Sequence, residues 1–479
     1  MSEVERRLIG IVGEGSFFKD PDFISASVEP GKCKQSLSPK FLVQPENSDQ
    51  VQEIVRLCKE SNVPLIPVSS RGPHRCGGVR PQVPGAVVVD LSGMNKVLRI
   101  NRRHRLALIE PGVTWEQLNA ELAKNGLRIP QPLLPKKGKS VIATLLDREP
   151  LLSPKYQWNM TEPLRSMEII FGTGDRIYSG MGGYRGDKDE AWENGTIPVT
   201  NAGPHQFDFM KMVTASQGTF GIVTWASVRV EVAAVEEKPL FVQGGSVDEL
   251  SSFLYKNLKF RFGDEVFLLN RPALASILSE NPEDAKIKAG KIGPWTAFLN
   301  VKWGALRAKE KIEVQSADIA DIAQENGLIP HPSVAGMPAA EVASRLLAVT
   351  DEDDWKRRTP GDAGEIFFLS TLDQVPSQLQ KAAEICDLSG YGFADCPVYI
   401  QPLHQGVAVH CHIILPGVSE SLYGELCDQL FRAGAFYSRP YGVMADLMYD
   451  GNAQNTILTQ KMKDIFDPRR IMNPGKLCF

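Results

Sequence analysis

The chain has 479 residues, of which 23% are charged and 43% hydrophobic, and it carries a net charge of −4 at pH 7. That length leaves room for two or three domains with large cores, and the balance is that of a globular protein. There is no long basic run to suit nucleic acid and no apolar stretch of bilayer length. The eight cysteines form no CxxC pair, so neither a zinc ribbon nor an iron–sulfur cluster is expected within the chain.

Residues 1–39 read as an N-terminal arm: a short apolar start, LIGIV, followed by polar segments rich in turn residues. MSEVERRLIG lacks the apolar core of a signal peptide, and unpaired cysteines spread through the chain suit a reducing cytoplasm. Next comes FLVQPENSDQVQEIVRLCKESNV. It reads as a strand ending at Pro45, with Ser48 as helix N-cap and Val51, Ile54, Val55 and Cys58 as an apolar helical face. Two further strands, Leu65–Val68 and Ala86–Leu91, flank a loop containing Ser69, Ser70, Arg71, Gly72, Pro73, His74, Gly77 and Gly78. Such a loop can turn its N–H groups inward as a nest for a pyrophosphate, or it can be a plain turn. Residues 97–100 form another strand, and ALIEPGVTWEQLNAELAKNGLRIP gives strand, Pro111-Gly112 turn and amphipathic helix. MEIIFGTGDRIYSG reads as a hairpin. GMGGYRGDKDEAWENGTIPVTNAGPHQFDFM reads as a polar surface excursion, and SQGTFGIVT as a turn feeding a strand.

After Val232 the pattern changes to strands crossed by helices. KPLFVQGG, DEVFLLN, GPWTAFLNVKWGA and GEIFFLSTL read as strands, and CPVYIQPLHQGVAVHCHIILP as a strand pair. Alternation in VAVHCHIILP puts His410 and His412 on one strand face and Cys411 on the other, with His404 across a turn. Histidines in this arrangement can line a cap strand as satisfied polar groups, act as acid and base, or bind a metal.

Four phrases in order carry a resemblance: QPENSDQVQEIVRLC, PGVTWEQLN, SQGTFGIVT and IFDPRRIMNPGKL. They resemble the FAD-binding, PCMH-type fold of the vanillyl-alcohol oxidase / p-cresol methylhydroxylase superfamily. Within it they are nearest the glycolate oxidase large subunits and FAD-linked D-lactate dehydrogenases. The resemblance implies an α+β architecture. A two-subdomain FAD-binding domain would span 40–232, an antiparallel-sheet and helix cap 233–435, and a segment returning to the FAD domain 436–479. It implies non-covalent FAD held by Ser70, Arg71, Gly72, Pro73, His74, Gly77 and Gly78 of the first loop. Pro111 and Gly112, then Ser140 and Thr144 of a second loop, would add to the site. So would Gly218, Thr219, Gly221, Ile222 and Val223, and finally Asn473 and Lys476 of the tail.

Three departures from the family pattern stand out. Pro73 and His74 replace small residues in the first loop. LLDREPLLSP replaces a Gly/Ala/Asn-rich phrase in the second, and SRPYG stands where a Glu-His pair is usual. His410, His412, Tyr441 and Arg439 are therefore the expected catalytic groups, with His404, His410 and His412 as candidate ligands of a divalent metal. The resemblance implies a dehydrogenase acting on a small hydroxy acid or alcohol. With no cluster motif in the chain, an iron–sulfur or electron-transfer-flavoprotein partner subunit is expected. A homo-oligomer, a non-catalytic relay subunit and a phenolic or benzylic alcohol oxidoreductase stay open.

Overall fold

The structure, a computed structural model, describes the chain outside residues 29–36, 73, 75–78, 157–161, 184–187, 194–198, 201–202, 204–207 and 351–362. Its first layer is a sheet in which Phe41–Val43, Val87–Asp90 and Leu65–Val68 run parallel, with Phe17–Phe18 antiparallel at the edge. Val87, Val88 and Val89 are all buried, as expected of a parallel strand covered on both faces. One covering element is the helix Ser48–Ser61, which packs Val51, Ile54, Val55 and Cys58 into the same core. Its N-cap is Asn47 rather than Ser48: the Asn47 side chain accepts from Gln50 N at 3.0 Å. The first segment adds a helix, Glu3–Val12, whose Leu8 and Val12 join that core.

The second layer is an antiparallel sheet ordered Val97–Asn101, Leu106–Ile109, Gly221–Arg229, Leu164–Phe171, Arg176–Tyr178. Its last two strands are the expected hairpin, closed at Gly174 with φ of 83°. The third layer is a seven-stranded antiparallel sheet built from Glu236–Gly244 through Ala408–Pro416. One face packs on the helices Val247–Phe260, Ala308–Glu325, Val375–Leu388 and Glu420–Arg432, and Cys411 points into that core. The opposite face is partly covered by Arg271–Leu278 and Ala339–Leu346.

After this sheet the chain returns to the first layer. Leu65 N donates to Ile471 O at 2.7 Å and Asn473 N to Leu65 O at 2.8 Å, so the tail lies beside the strand that feeds the first loop. Among the described residues no helix is long and apolar enough to cross a membrane.

Candidate functional site

A cavity of about 790 Å³ lies between the first loop and the uncovered face of the seven-stranded sheet. A second cavity, about 230 Å³, adjoins it, and Ser70, His74, Lys139, Asp147 and Tyr441 line both. The smaller one is walled on one side by Pro67–Ser70 and on the other by Gly218, Gly221, Ile222 and Val223. At Gly218 (φ 72°) a Cβ would stand 2.5 Å from Pro67 Cγ, so the two walls approach as only glycine permits.

Sheet register explains the cap side of the larger cavity. His412 sits opposite Phe367 and Tyr399, and His410 opposite Leu369 and Gln401. Glu365 lies two residues before Phe367, hence on the same face. Its carboxylate meets His412 Nε2 at 2.9 Å. His410 and His412 are both nearly buried and line the cavity. His404 does not join them. It occupies the hairpin turn three residues beyond Gln401, the partner of His410, which places it about 10 Å along the strand direction. Among the described residues no group of three or more His, Cys, Asp and Glu could hold a metal ion, so the three-histidine set is corrected to a pair.

Arg439 and Tyr441, from SRPYG, reach the same cavity. Both bind Asp147: Arg439 Nη1 donates to Asp147 Oδ2 at 3.0 Å and the Tyr441 hydroxyl donates to Asp147 Oδ1. Asp147 is the C-cap residue of the helix Val141–Leu146, so two departures from the family pattern meet in one ion pair. The Arg439 guanidinium also lies 4.2 Å over the Phe367 ring. Lys139 pairs with Glu149, which lies 4.0 Å from Arg439. Burial pushes the Asp147 carboxyl above its usual range, against the pull of Arg439. Burial draws the Lys139 ammonium down, but Glu149 and Asp147 outweigh it and hold Lys139 above its ordinary value.

The other expected cofactor residues separate into two groups. Ser70, Arg71, Gly72 and His74 line the larger cavity, as does Gly112, while Pro111 lines the smaller. Pro73, Gly77 and Gly78 lie outside the described residues. Ser140 and Thr144 line neither cavity: both are wholly buried. Ser140 Oγ donates to Pro111 O and accepts from Ala143 N, and Thr144 Oγ1 accepts from Trp115 Nε1. They brace the loops rather than line either cavity. The loops are also tied by Ser140 N to Ser70 Oγ at 3.1 Å and Arg71 N to Gly138 O at 3.3 Å. Thr219 is likewise turned inward, with its hydroxyl on Ser216 O. In the tail, Asn473 Nδ2 donates to Gln217 O at 2.6 Å. Burial and the nearby Arg80 push the Lys476 ammonium down to about 8. Neither Asn473 nor Lys476 lines the two cavities.

Sequence reasoning missed Lys139, Asp147, Glu149, Glu365, Phe367 and Tyr399. The signal for Asp147 and Glu149 was the charged DRE run directly after an apolar helix. For Glu365 it was a lone acid on an otherwise apolar strand.

Residues 39–177 match the family model described as FAD binding domain. The chain is 31% identical over 153 residues to the flavoprotein subunit of 4-cresol dehydrogenase [hydroxylating] of Pseudomonas putida. That match covers 31% of this chain but 28% of that one, so it spans little over a quarter of the relative's length. It is 24% identical over 467 residues to a D-lactate dehydrogenase of Anaerostipes hadrus, covering 92% and 90% of the two chains. The crystal structure of p-cresol methylhydroxylase with substrate bound superposes with a TM-score of 0.80 at 18% identity, over 100% and 96% of the chains.

This chain carries an FAD-binding domain in a p-cresol methylhydroxylase-type fold.

The residues present fit FAD. The larger cavity falls within the roughly 300–1,000 Å³ typical of ligand sites. The Ser70 hydroxyl with Arg71 and Lys136 supplies the donors and positive charge a pyrophosphate needs.

Proposed function

We propose that this protein is an FAD-dependent dehydrogenase. It oxidises the CH–OH group of a small hydroxy acid or alcohol and passes the electrons to a separate redox subunit. The observation that carries the reading is the His412–Glu365 pair at 2.9 Å, beside His410 and facing the first loop across the cavity. When bound, FAD supplies the acceptor for the substrate's hydride. Oxidation of an alcohol also releases a hydroxyl proton, and His410 or His412 stands on the cavity face to take it. Glu365 orients the His412 ring and stabilises the imidazolium that forms. Arg439, stacked on Phe367, offers positive charge to an anionic substrate group, and Tyr441, whose hydroxyl donates to Asp147, holds that carboxylate in place beside it. Leu133 and Leu134, with Phe367 and Tyr399, give the cavity an apolar wall that sheds water from the reacting centre.

A separate acceptor is supported by the 4-cresol dehydrogenase relative, which is itself named a flavoprotein subunit. A second reading is oxidation of a phenolic or benzylic alcohol. It is favoured by the Arg439 guanidinium on the cavity wall, which suits a phenolate.

The test is anaerobic titration of the FAD-loaded chain with 2-hydroxy acids and with benzylic alcohols, following the flavin band at roughly 450 nm. Bleaching by one class selects the substrate, and His410→Gln or His412→Gln should slow that bleaching by about 10²–10⁴-fold with the spectrum intact. A flavin that nothing bleaches would instead mark a relay subunit and end the dehydrogenase reading.

A further inference from the structure

The last helix, Ala453–Phe466, hides a fully buried lysine. Lys463 Nζ pairs with Asp467 Oδ2 at 2.6 Å, one helical turn on, and both side chains have no exposure to solvent. The same ammonium donates to Thr219 O and, at 3.0 Å, to Met472 O. Asp467 accepts from Ile471 N at 3.1 Å and Met472 N at 2.8 Å, fixing the tail's exit from the helix. Each of these partners leads to the smaller cavity without itself lining it. Thr219 sits in the turn between Gly218 and Gly221, which form one wall. Ile471 and Asn473 pair with Leu65, which starts the strand running through Pro67 and Val68 into the opposite wall. A third thread runs from Asn473 to Gln217 O, and from Gln217 Nε2 to Pro440 O at 2.6 Å, next to Arg439 and Tyr441.

We propose that Lys463 is a positioning residue for the flavin: one buried ammonium fixes the separation of the two walls of the smaller cavity. The physical reason is that three acceptors converge on a single cation whose side chain has no exposure to solvent. A backbone carbonyl in that place cannot be left unsatisfied, so the turn at 216–221 and the tail at 471–473 must stay in register with each other. A hydrophobic contact would tolerate sliding, whereas these hydrogen bonds do not. The role lies outside the proton and hydride chemistry, so it stands whichever substrate the enzyme takes.

The test uses the full chain, stripped of FAD and titrated with it, reading flavin and tryptophan fluorescence. Lys463→Met alone leaves a buried lone carboxylate and can fail to fold, so the deciding variant is the Lys463→Met/Asp467→Asn pair, which removes both charges. The expected result is an FAD-free pair variant that still folds, with its thermal midpoint lowered because Thr219 O and Met472 O have lost their donor. FAD affinity should also fall on the order of tenfold, because Thr219 O has lost its donor. A pair variant that binds FAD as wild type does would overturn the proposal. Hydrogen exchange on the wild-type chain needs no variant. FAD should slow exchange of the amides at 471–473 together with those at 216–223, although the former touch neither cavity. Slowing at 216–223 alone would also overturn it.

Discussion

Replacing Asp147 by Asn keeps the side chain's shape and removes the charge that Arg439 faces. Arg439 is 6% exposed and Asp147 24%, so the pair is partly shielded from water. At 3.0 Å, with an effective dielectric near 20, the attraction is about 5 kcal/mol, most of it offset by desolvation. Loss of one partner from a fully buried pair costs about 3–5 kcal/mol, and the 24% exposure of Asp147 brings the figure below that range, to about 2–3 kcal/mol here. Glu149, at 4.0 Å, keeps part of the Arg439 charge compensated. Denaturant unfolding of the full chain, with and without FAD, measures the loss. The companion variants sharpen it: Glu149→Gln should cost less, and Asp147→Asn/Arg439→Gln should cost less than the two single changes added, because it leaves no orphaned charge. An Asp147→Asn protein within about 0.5 kcal/mol of wild type, or strictly additive single and double changes, would refute the reasoning.

Two further outcomes are expected. Gly218→Ala combines a φ of 72° with a Cβ 2.5 Å from Pro67 Cγ, so it should cost about 1–3 kcal/mol and weaken FAD binding, read by thermal melting and FAD titration. Unchanged values would mean the two walls do not approach as described. Lys476 has its ammonium pushed down to about 8, so the folded chain sheds that proton before the unfolded chain does. Its penalty is therefore fully present below about pH 8 and relieved as pH rises towards the ordinary lysine value. Lys476→Met should stabilise the fold most at the acid end of that window, measured as the difference in melting temperature across pH 7–10.

Much of this molecule is legible in its sequence. Uninterrupted valines at 87–89 mark a strand covered on both faces, and alternation in VAVHCHIILP puts both histidines on one face with Cys411 opposite, because side chains follow the backbone's period. Four ordered phrases resemble those of a known flavin-binding family, and it was that resemblance that pointed to the flavin domain and its cap. Even so, Asn47 took the cap that Ser48 seemed to offer, since either side chain can accept from the first helical turn.

Chemistry that depends on partners far apart in the chain was not legible. Ser140, Thr144 and Thr219 have hydroxyls suited to a ligand, yet packing turned them onto backbone carbonyls and an indole. His404 is close to His410 in sequence, but the hairpin turn separates them along the strand. Asp147 and Arg439, 292 positions apart, looked like two unrelated departures from a pattern until the fold put them 3.0 Å apart. Local periodicity and turn chemistry thus determined the elements and their faces, while the flavin-binding class came from the resemblance of whole phrases to a known family. Only the tertiary structure decided which charges neutralise one another, because a buried ion needs a partner from wherever the packing can supply one.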